Sequence, residues 1–496
     1  MIRPVSTRTA YRLTPLLLAA LASACSLAPE YKAPAAPLSE NFKEAAEPVA
    51  GWQLAQPADA APRGNWWAVF ADPKLDELQA QLANASPDLQ AAFARYQQAR
   101  ALARQSASSL YPQLSANAGA TRASSSANAP GNDGNSSTGN DLFASLSLSW
   151  EIDLFGRLGN ARRAADRQLE ASAGDFAALQ LSLQAELASR YYQLRGADAT
   201  IALLDDSIKA YERALELTRK RYDGGIAAVA DVDQAETTLN STRAQLAAAK
   251  LSRAQLEHAI AVLLGVSPSE FSLMPAEFVG EPPMVTTRLP SSLLQRRPDI
   301  ASAERRVAAA NANIGVANAA WFPIFSFSAT GGYEATGTSD WFDAPSRYWS
   351  IGPSVTAPIL DGGALSSLRR QSRAAYDESV ANYRKTVLTA YQEVEDNLAA
   401  LRHLADEVAG DEAAAAAAQR SVFHANKRYT AGVASYLEVT TTQTAALSAQ
   451  RDALDARVRR IDAAVQLVRA MGGGWNLAQL ETAGDADGDA AVAAPQ

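Results

Sequence analysis

An internal repeat covers most of the chain and constrains its fold more than any other feature. Segments 86–112 and 297–323 each carry a Pro-Asp pair near their start and end at a second proline, 25 residues after the first. Segments 220–225 and 427–432 both begin with Lys-Arg-Tyr and end with a glycine. Because the offset between the copies stays between 206 and 211 residues, the sequence predicts two tandem copies of one structural plan.

Each copy contains stretches in which apolar and polar residues alternate, as they do in β-strands. These stretches predict β-hairpins at residues 113–151 and 324–357. The polar positions are mostly Ser, Thr, Asn and Gly, which suit the wall of a water-filled channel, and strands of about ten residues can cross a membrane at a tilt. The pattern favours membrane-spanning strands, with half-buried hairpins on a soluble domain as the alternative.

A long helical stretch follows each hairpin. Residues 158–222 and 364–429 contain no proline and are dense in Ala, Leu, Gln, Glu and Arg, which are strong helix formers. At the rise of an α-helix, each stretch predicts a helix on the order of 100 Å long. After a glycine turn, the returning helix of the second copy predicts a coiled-coil seam of apolar residues seven apart, at Leu447, Leu454, Ile461 and Val468.

Four membrane strands per chain pose a problem of closure. Four strands cannot form a closed barrel, and an open strand edge in lipid leaves backbone groups without hydrogen-bond partners, at several kcal/mol each. Three chains together supply twelve strands, enough for a barrel with an aqueous passage. The predicted fold class is therefore an α+β membrane protein: a trimeric twelve-stranded β-barrel, with four strands per chain, continued by a long α-helical coiled-coil tunnel.

The N-terminus has the features of a bacterial lipoprotein signal. A basic region and a short apolar core occupy residues 1–24, and Cys25, the single cysteine of the chain, follows Ala22-Ser23-Ala24. This resembles a lipobox, in which the cysteine becomes the first mature residue and carries acyl chains. We expect a covalent lipid on Cys25, no other cofactor, and a lipid-anchored protein of the bacterial outer membrane that extends into the periplasm. Ordinary signal cleavage beside an incidental cysteine is the alternative.

These boundaries divide the chain into six segments. They are a signal peptide at 1–24, a lipidated extended segment at 25–69, repeat one at 70–265, a linker at 266–284, repeat two at 285–472, and a C-terminal segment with a tail at 473–496. The tail is rich in Asp, Gly and Ala, a composition that predicts disorder.

Charge and composition argue against several classes of function. The net charge is -8 and the pI is near 5.2, whereas nucleic-acid-binding proteins need a clustered basic surface. The three histidines, His258, His403 and His424, are far apart in sequence, so we predict no metal site. The sequence contains no nucleophile elbow, phosphate-binding loop, Cys/His pair or zinc-protease motif. We therefore predict no catalytic residues and no enzyme activity.

A series of short, ordered motifs carries a family resemblance. The most specific runs from Leu293 to Ile300 as Leu-Leu-Gln-Arg-Arg-Pro-Asp-Ile, continues through Ala310-Asn311-Ala312-Asn313-Ile314-Gly315, and ends at Phe322-Pro323. Trp66-Trp67, with Asp72-Pro73 after it, belongs to the same series. Together these motifs resemble the TolC-like outer-membrane factors, in particular the lipoprotein branch of the OprM and NodT groups.

The resemblance implies an assembly and partners. It implies a homotrimer in outer-membrane lipid, an equatorial belt that includes linker 266–284, and two protein partners: a periplasmic adaptor (membrane fusion) protein and an inner-membrane pump. For function, it implies a passive outer-membrane channel of a tripartite, RND-type efflux system that expels drugs or other small toxic compounds. Two alternatives stay open: a periplasmic coiled-coil scaffold or adaptor lipoprotein without a pore, and the outer-membrane duct of a secretion system.

The resemblance also implies a periplasmic gate at the two helix reversals. Carried over by position, the gate residues are Asp231 and Asp233 in copy one and Leu437, Glu438 and Thr441 in copy two. Threefold symmetry would turn each position into a ring, and carboxylate rings favour cations. Thr441 departs from the aspartate that related proteins often carry. An equally open interpretation is that Ser435-x-x-Glu438 forms a capping box, with acidic residues stabilising a first helical turn.

Residues beside the reversals fall into two groups. Gly225 and Gly432 are predicted to take a positive φ that other residues would resist. Arg221-Tyr222 and Arg428-Tyr429 are candidates for adaptor docking, with surface or packing roles as the alternative.

Overall fold

A computed structural model of the chain describes residues 27–35, 42–44, 65–128, 136–278 and 297–473. The predicted signal peptide, Cys25 and the C-terminal tail from residue 474 onward lie outside the described residues. The end of linker 266–284, from residue 279 onward, also lies outside them.

Seven α-helices and four β-strands carry the architecture of the described residues. The helices are α1 (Pro73–Ala85), α2 (Pro87–Ser108), α3 (Arg157–Asp223), α4 (Val229–Leu263), α5 (Pro298–Ala319), α6 (Ala364–Thr430) and α7 (Tyr436–Ala470). The strands are β1 (Gln113–Ser124), β2 (Thr138–Ile152), β3 (Ile324–Ala335) and β4 (Arg347–Thr356). Short 3₁₀ helices form at Trp66–Phe70 and Ala344–Ser346.

The chain folds into two compact units that each draw on both sequence repeats. Counting only described residues, one unit comprises those within Met1–Ala35, Tyr96–Ser172 and Ser302–Tyr383, and the other comprises those within Ala36–Arg95, Ala173–Ala301 and Arg384–Gln496. The two repeats are therefore not two separate domains, because each repeat supplies a hairpin to the first unit and helices to the second.

The first unit contains one antiparallel sheet in the order β1-β2-β3-β4. The two hairpins occupy the positions that alternation predicts, to within one residue at each end. The central pairing, β2 with β3, joins the hairpin of copy one to the hairpin of copy two. Beside the sheet, buried alanines such as Ala164, Ala308 and Ala312 line the helices of this unit, and their small side chains allow close helix packing.

The long helices are confirmed. Both α3 and α6 have 67 residues, and both returning helices, α4 and α7, have 35. On α7, Leu447 and Ile461 of the predicted seam are buried, whereas Leu454 and Val468 are only partly buried. The buried face of α7 is wider than a two-position seam because alanines such as Ala456 also pack inward.

The second unit has an apolar core built around tryptophan and tyrosine. Trp66 and Trp67 pack edge to face, with ring centroids 5.8 Å apart, beside fully buried Leu75 of α1. The Asp72 carboxylate starts α1 by accepting hydrogen bonds from the Lys74 and Leu75 amides at 2.9 and 3.1 Å. The Trp-Trp and Asp-Pro motifs thus hold the start of repeat one on the core.

Candidate functional site

The strand register places apolar residues together on one face of the sheet. Directly paired residues of antiparallel strands share a face. Leu114 pairs with Leu148, Leu148 with Ala329, and Ala329 with Ile351, so one apolar row crosses all four strands. Trp349, in the next row, is 75% exposed. An exposed apolar face that extends across all four strands indicates an interaction with lipid or protein.

The opposite face carries small polar residues. Ser115 pairs with Ser147, Ser147 with Thr330, and Thr330 with Ser350, so this row also crosses the whole sheet. The hydroxyls of Ser147 and Thr330 are 3.3 Å apart, and the Ser115 hydroxyl donates to the Ser147 carbonyl at 3.3 Å. The alternation seen in each strand is thus in phase across the four strands, and it gives the sheet one apolar and one hydrophilic surface.

Both outer edges of the sheet are available for pairing. Strand β1 pairs with β2 alone and β4 pairs with β3 alone, within the described part of the chain. These edges carry 12 and 10 residues, respectively. Unpaired strand edges present rows of backbone N–H and C=O groups that can pair with another chain.

Aromatic residues cluster where the strands meet the helices. Phe155 stacks on Phe322 with ring centroids 4.6 Å apart, and the Trp150 indole N–H donates to the Leu110 carbonyl at 3.0 Å. Trp321, beside Phe322, is about half exposed. Amphipathic aromatic side chains are enriched where membrane proteins meet the lipid–water interface.

The residues predicted for the gate and for docking gather around a tyrosine cluster in the second unit. Tyr211 of α3, Tyr429 of α6 and Tyr436 of α7 are buried together with Val439 and Leu239. The rings of Tyr429 and Tyr436 pack edge to face at 5.1 Å, and the Tyr211 hydroxyl donates to the Gln443 carbonyl at 3.3 Å. This cluster joins the ends of four helices, two from each copy.

Burial from water changes the acidity of this cluster. It raises the pKa of Tyr436 to about 12, with further contributions from neighbouring Tyr429 and Tyr211. Burial also raises the pKa of Tyr211. Both hydroxyls therefore stay neutral well beyond the physiological range, and the cluster acts as packing rather than as an acid or base.

Arg221 links the reversal of copy one to that of copy two. Its guanidinium carbon lies 4.7 Å from the centre of the Tyr429 ring, and Nη1 donates to the Thr430 carbonyl at 3.2 Å. Tyr429 is 5% exposed, whereas its counterpart Tyr222 is 46% exposed. Equivalent Arg-Tyr pairs thus have different surroundings: Tyr429 packs inside the chain, and Tyr222 reaches the surface.

The second copy uses its arginine differently. Arg428 Nη1 lies 2.9 Å from Glu438 Oε1, which joins the end of α6 to the start of α7. The predicted capping box is wrong, since the side chain of Ser435 makes no capping hydrogen bond although Ser435 precedes the first residue of α7. The Glu438 carboxylate pairs with the nearby guanidinium instead.

The other predicted gate residues lie within the first two turns of the returning helices. Asp231 is partly exposed and Asp233 is exposed on α4. Leu437 is 62% exposed, and the Thr441 hydroxyl donates to the Leu437 carbonyl at 2.7 Å. The arrangement brings acidic and apolar surface together at the reversals.

The two glycines have the predicted backbone. Gly225 and Gly432 have φ values of 71° and 76°. At each, the glycine amide donates three residues back and the following amide five residues back, at 2.8 Å for both bonds in copy one and 3.0 Å for both in copy two. This is the Schellman arrangement that ends a helix with a left-handed residue. The two glycines therefore have a structural role, because they end the helices at the reversals.

The described residues contain neither a metal site nor a membrane-spanning helix. Among them, no group of His, Cys, Asp and Glu side chains is arranged to hold a metal ion. Within the same ranges, every helix is too polar or too short to serve as a transmembrane helix.

Sequence comparison places the chain among outer-membrane efflux proteins. A family profile described as "Outer membrane efflux protein" matches residues 78–266 and 289–473. The chain is 33% identical over 476 residues to the antibiotic efflux pump outer membrane protein ArpC of Pseudomonas putida, covering 95% of this chain and 96% of ArpC. It is 30% identical to the cation efflux system protein CusC of Escherichia coli O157:H7, covering 94% and 99% of the two chains.

The solved structures agree with the sequence relatives. The outer-membrane channel OprN superposes with a TM-score of 0.83 at 30% identity, and the match covers 91% of this chain and 100% of OprN. The predicted fold class is confirmed by this likeness, as are the predicted channel function in efflux and the absence of enzyme activity from the family. The chain belongs to the outer membrane efflux protein family, whose members are channels of the bacterial outer membrane.

Proposed function

We propose that three copies of this chain form the passive exit channel of an RND-type tripartite efflux system. A periplasmic adaptor and an inner-membrane pump would complete the system, and acyl chains on Cys25 would anchor the channel in the outer membrane. The expelled compounds would be drugs or other small toxic molecules, a proposal supported by the efflux function named for ArpC.

One observation carries the proposal: the sheet has one apolar and one hydrophilic face, and two free edges. A four-stranded sheet in lipid would leave the backbone groups of β1 and β4 unpaired, at several kcal/mol each. Pairing of β1 in one copy with β4 in the next removes this cost, and threefold repetition closes twelve strands into a barrel. The serine and threonine rows then face the lumen, and the leucine and tryptophan rows face lipid.

Charge supports a gate at the helix reversals. Asp231 and Asp233 would form carboxylate rings in the trimer, whereas the charge of Glu438 is partly balanced by Arg428. Opening would require the reversals of copy one and copy two to separate. Arg221 opposes that separation, because its contacts with Tyr429 and Thr430 connect the two reversals.

The exposed residues of the reversals support adaptor docking at the same end. Tyr222, Ile226 and Val433 are exposed apolar side chains, and Arg428 lies beside them on the surface. Ile226 and Val433 are repeat equivalents, so a trimer would present six similar apolar points to its partner. Tyr429 does not take part in this surface because it is buried.

Planar-bilayer recording tests the channel and gate proposals together. Purified protein should conduct ions, and Asp231→Ala and Asp233→Ala variants should show reduced cation selectivity because a ring of charge is lost. Absence of any conductance would contradict the channel proposal. Conductance with selectivity unchanged in both variants would remove these aspartates from the gate.

A further inference from the structure

The first described residues of the chain lie along one face of α5. The Asn311 side-chain amide donates to the Pro29 carbonyl at 2.8 Å, and the Asn318 amide donates to the Leu27 carbonyl at 3.0 Å. Two asparagines of one helix thus bind the backbone of the N-terminal segment, and this recognition does not depend on the side chains of that segment.

A third contact extends the same row. The Tyr31 hydroxyl donates to the Glu304 carboxylate and also lies 3.4 Å from the Glu304 carbonyl oxygen. Glu304, Asn311 and Asn318 are seven residues apart, so they lie on one face of α5 over about four turns. Burial and the Glu304 carboxylate raise the pKa of Tyr31, so its hydroxyl stays a donor at physiological pH.

A glycine makes room for the segment between the two asparagines. A Cβ atom on Gly315 would lie 2.6 Å from the Ala28 Cβ and 2.7 Å from the Asn160 Cγ, closer than side-chain atoms pack. The Ala-Asn-Ala-Asn-Ile-Gly motif therefore has a specific use, because its first asparagine and its glycine form part of this groove.

The groove is present in only one of the two repeats. Helices α2 and α5 are equivalent and each has 22 residues. Where α5 has Asn311, Gly315 and Asn318, α2 has Arg100, Arg104 and Ala107. The asparagines and the glycine are therefore not part of the pattern that the two copies share, which is consistent with a task that arises once per chain. Holding the single N-terminus is such a task.

The direction of the segment brings the predicted lipid site toward the sheet. Leu27 binds near the C-terminal end of α5, and β3 begins at Ile324, six residues after Asn318. Cys25 precedes Leu27 by two residues, a chain reach of no more than about 7 Å. The docked segment therefore restricts where the chain leaves the groove toward Cys25.

We propose that Asn311, Gly315 and Asn318 form an N-terminal docking groove that fixes where the acyl chains of Cys25 enter the membrane, beside the connection of α5 to β3. The part concerning acyl chains rests on the proposed acylation of Cys25, whereas the groove rests on the contacts of residues 27–31. When the N-terminal segment is docked on α5, the acyl chains stay next to the strands. Their effective concentration at the membrane surface is therefore higher.

Spin-label mobility tests the groove. The proposed acylation would block the sulfur of Cys25, so Ala33→Cys supplies one free thiol on an exposed position of the segment. In the detergent-solubilised trimer, a nitroxide at this position should give an immobilised spectrum. The double variant Asn311→Ala, Asn318→Ala should lose the immobilised component. The matched control Asn313→Ala, an exposed asparagine on the same helix, should keep it.

A second variant avoids any change in the helix. Tyr31→Phe removes one hydroxyl from the segment itself, and it should increase label mobility by a smaller amount than the double variant. An immobilised spectrum in both the double variant and Tyr31→Phe would overturn the groove.

Mass spectrometry of the intact protein separates the lipid proposal from the groove proposal. Acyl groups on Cys25 should be present in the wild type and in the groove variants alike. The same labels in a Cys25→Ser background report docking without lipid. Suppose that docking persists in the Cys25→Ser background and that the wild type carries no acyl groups. This result would contradict the acylation of Cys25 and the role of the groove in lipid placement, but the groove itself would still be supported.

Discussion

At the scale of single residues, the two repeats show how equivalent side chains acquire different tasks. Arg221 and Arg428 occupy the same repeat position, yet Arg221 spans the two copies and Arg428 pairs within its own copy. The difference follows from Tyr429, whose buried ring lies under the Arg221 guanidinium.

Arg221→Gln should therefore favour the open channel. The lost cation–π contact and hydrogen bond together are worth about 1–2 kcal/mol, or roughly tenfold in the balance between closed and open states. Single-channel recording should show a matching rise in open probability, while Arg428→Gln, the repeat-equivalent control, should show a smaller one. Equal open probability in Arg221→Gln and wild type would contradict the link.

The buried tyrosines predict an alkaline transition at the helix reversals. The pKa of Tyr436 is raised to about 12, above the ordinary tyrosine pKa near 10. Its contribution to the stability of the folded state is therefore fully present below pH 10 and is lost as the pH rises toward 12. A difference titration of tyrosinate absorbance between wild type and Tyr436→Phe isolates this residue. The difference curve should have its midpoint near pH 12, and a midpoint near 10 would show that the ring is solvated.

Residue types alone allowed only part of this site to be predicted. The left-handed glycines were predictable because most residues with a Cβ take that φ only at a cost. The difference in burial between Tyr222 and Tyr429 was not predictable, because both follow an arginine in the same motif. Only the neighbouring helix determines which of the two is buried. The capping box did not form because the Glu438 amide donates to the Ser435 carbonyl instead of its hydroxyl, while the Glu438 carboxylate pairs with Arg428.

At the scale of elements, backbone conformation separates glycines that are required from glycines that are tolerated. Gly432→Ala forces a left-handed conformation on a residue with a Cβ, at a cost of about 1–2 kcal/mol. Gly410, inside α6, has open space around it, so Gly410→Ala should stabilise the helix by about 0.5–1 kcal/mol. Hydrogen exchange of peptides around each site should be faster in the first variant and slower in the second. Two changes of the same sign would contradict this assignment.

The two faces of β2 predict opposite responses to charge. Leu146 lies on the apolar face, and Leu146→Arg should destabilise membrane insertion by about 2–4 kcal/mol. Ser149→Arg, three residues away on the polar face, places the same charge toward water. The amount of heat-resistant trimer in outer-membrane fractions should fall in the first variant and be retained in the second. Similar losses in both would contradict the assigned faces.

The elements themselves were largely predictable, whereas their arrangement was not. Long proline-free stretches gave the helices, and alternation gave the strands. The order β1-β2-β3-β4 depends on the pairing of β2 with β3, which lie in different repeats. No local pattern specifies that pairing, because residue alternation fits any neighbour whose apolar face has the same phase.

At the scale of the whole molecule, the sheet of each chain must be closed into a barrel by other copies. One chain supplies a sheet with two unpaired edges, a hydrophilic face and an apolar face. These features are compatible with lipid only when other copies complete the pairing. The long helices would share the threefold symmetry, because each chain adds the same four long helices to the assembly.

The mass of the Cys25→Ser protein tests this claim most directly, because it removes the proposed lipid anchor and leaves only the sheet to hold the protein in the membrane. Native mass spectrometry after extraction from outer membranes should find three chains per particle, and the extraction should require detergent. A stable single chain that stays in solution without detergent would contradict the account.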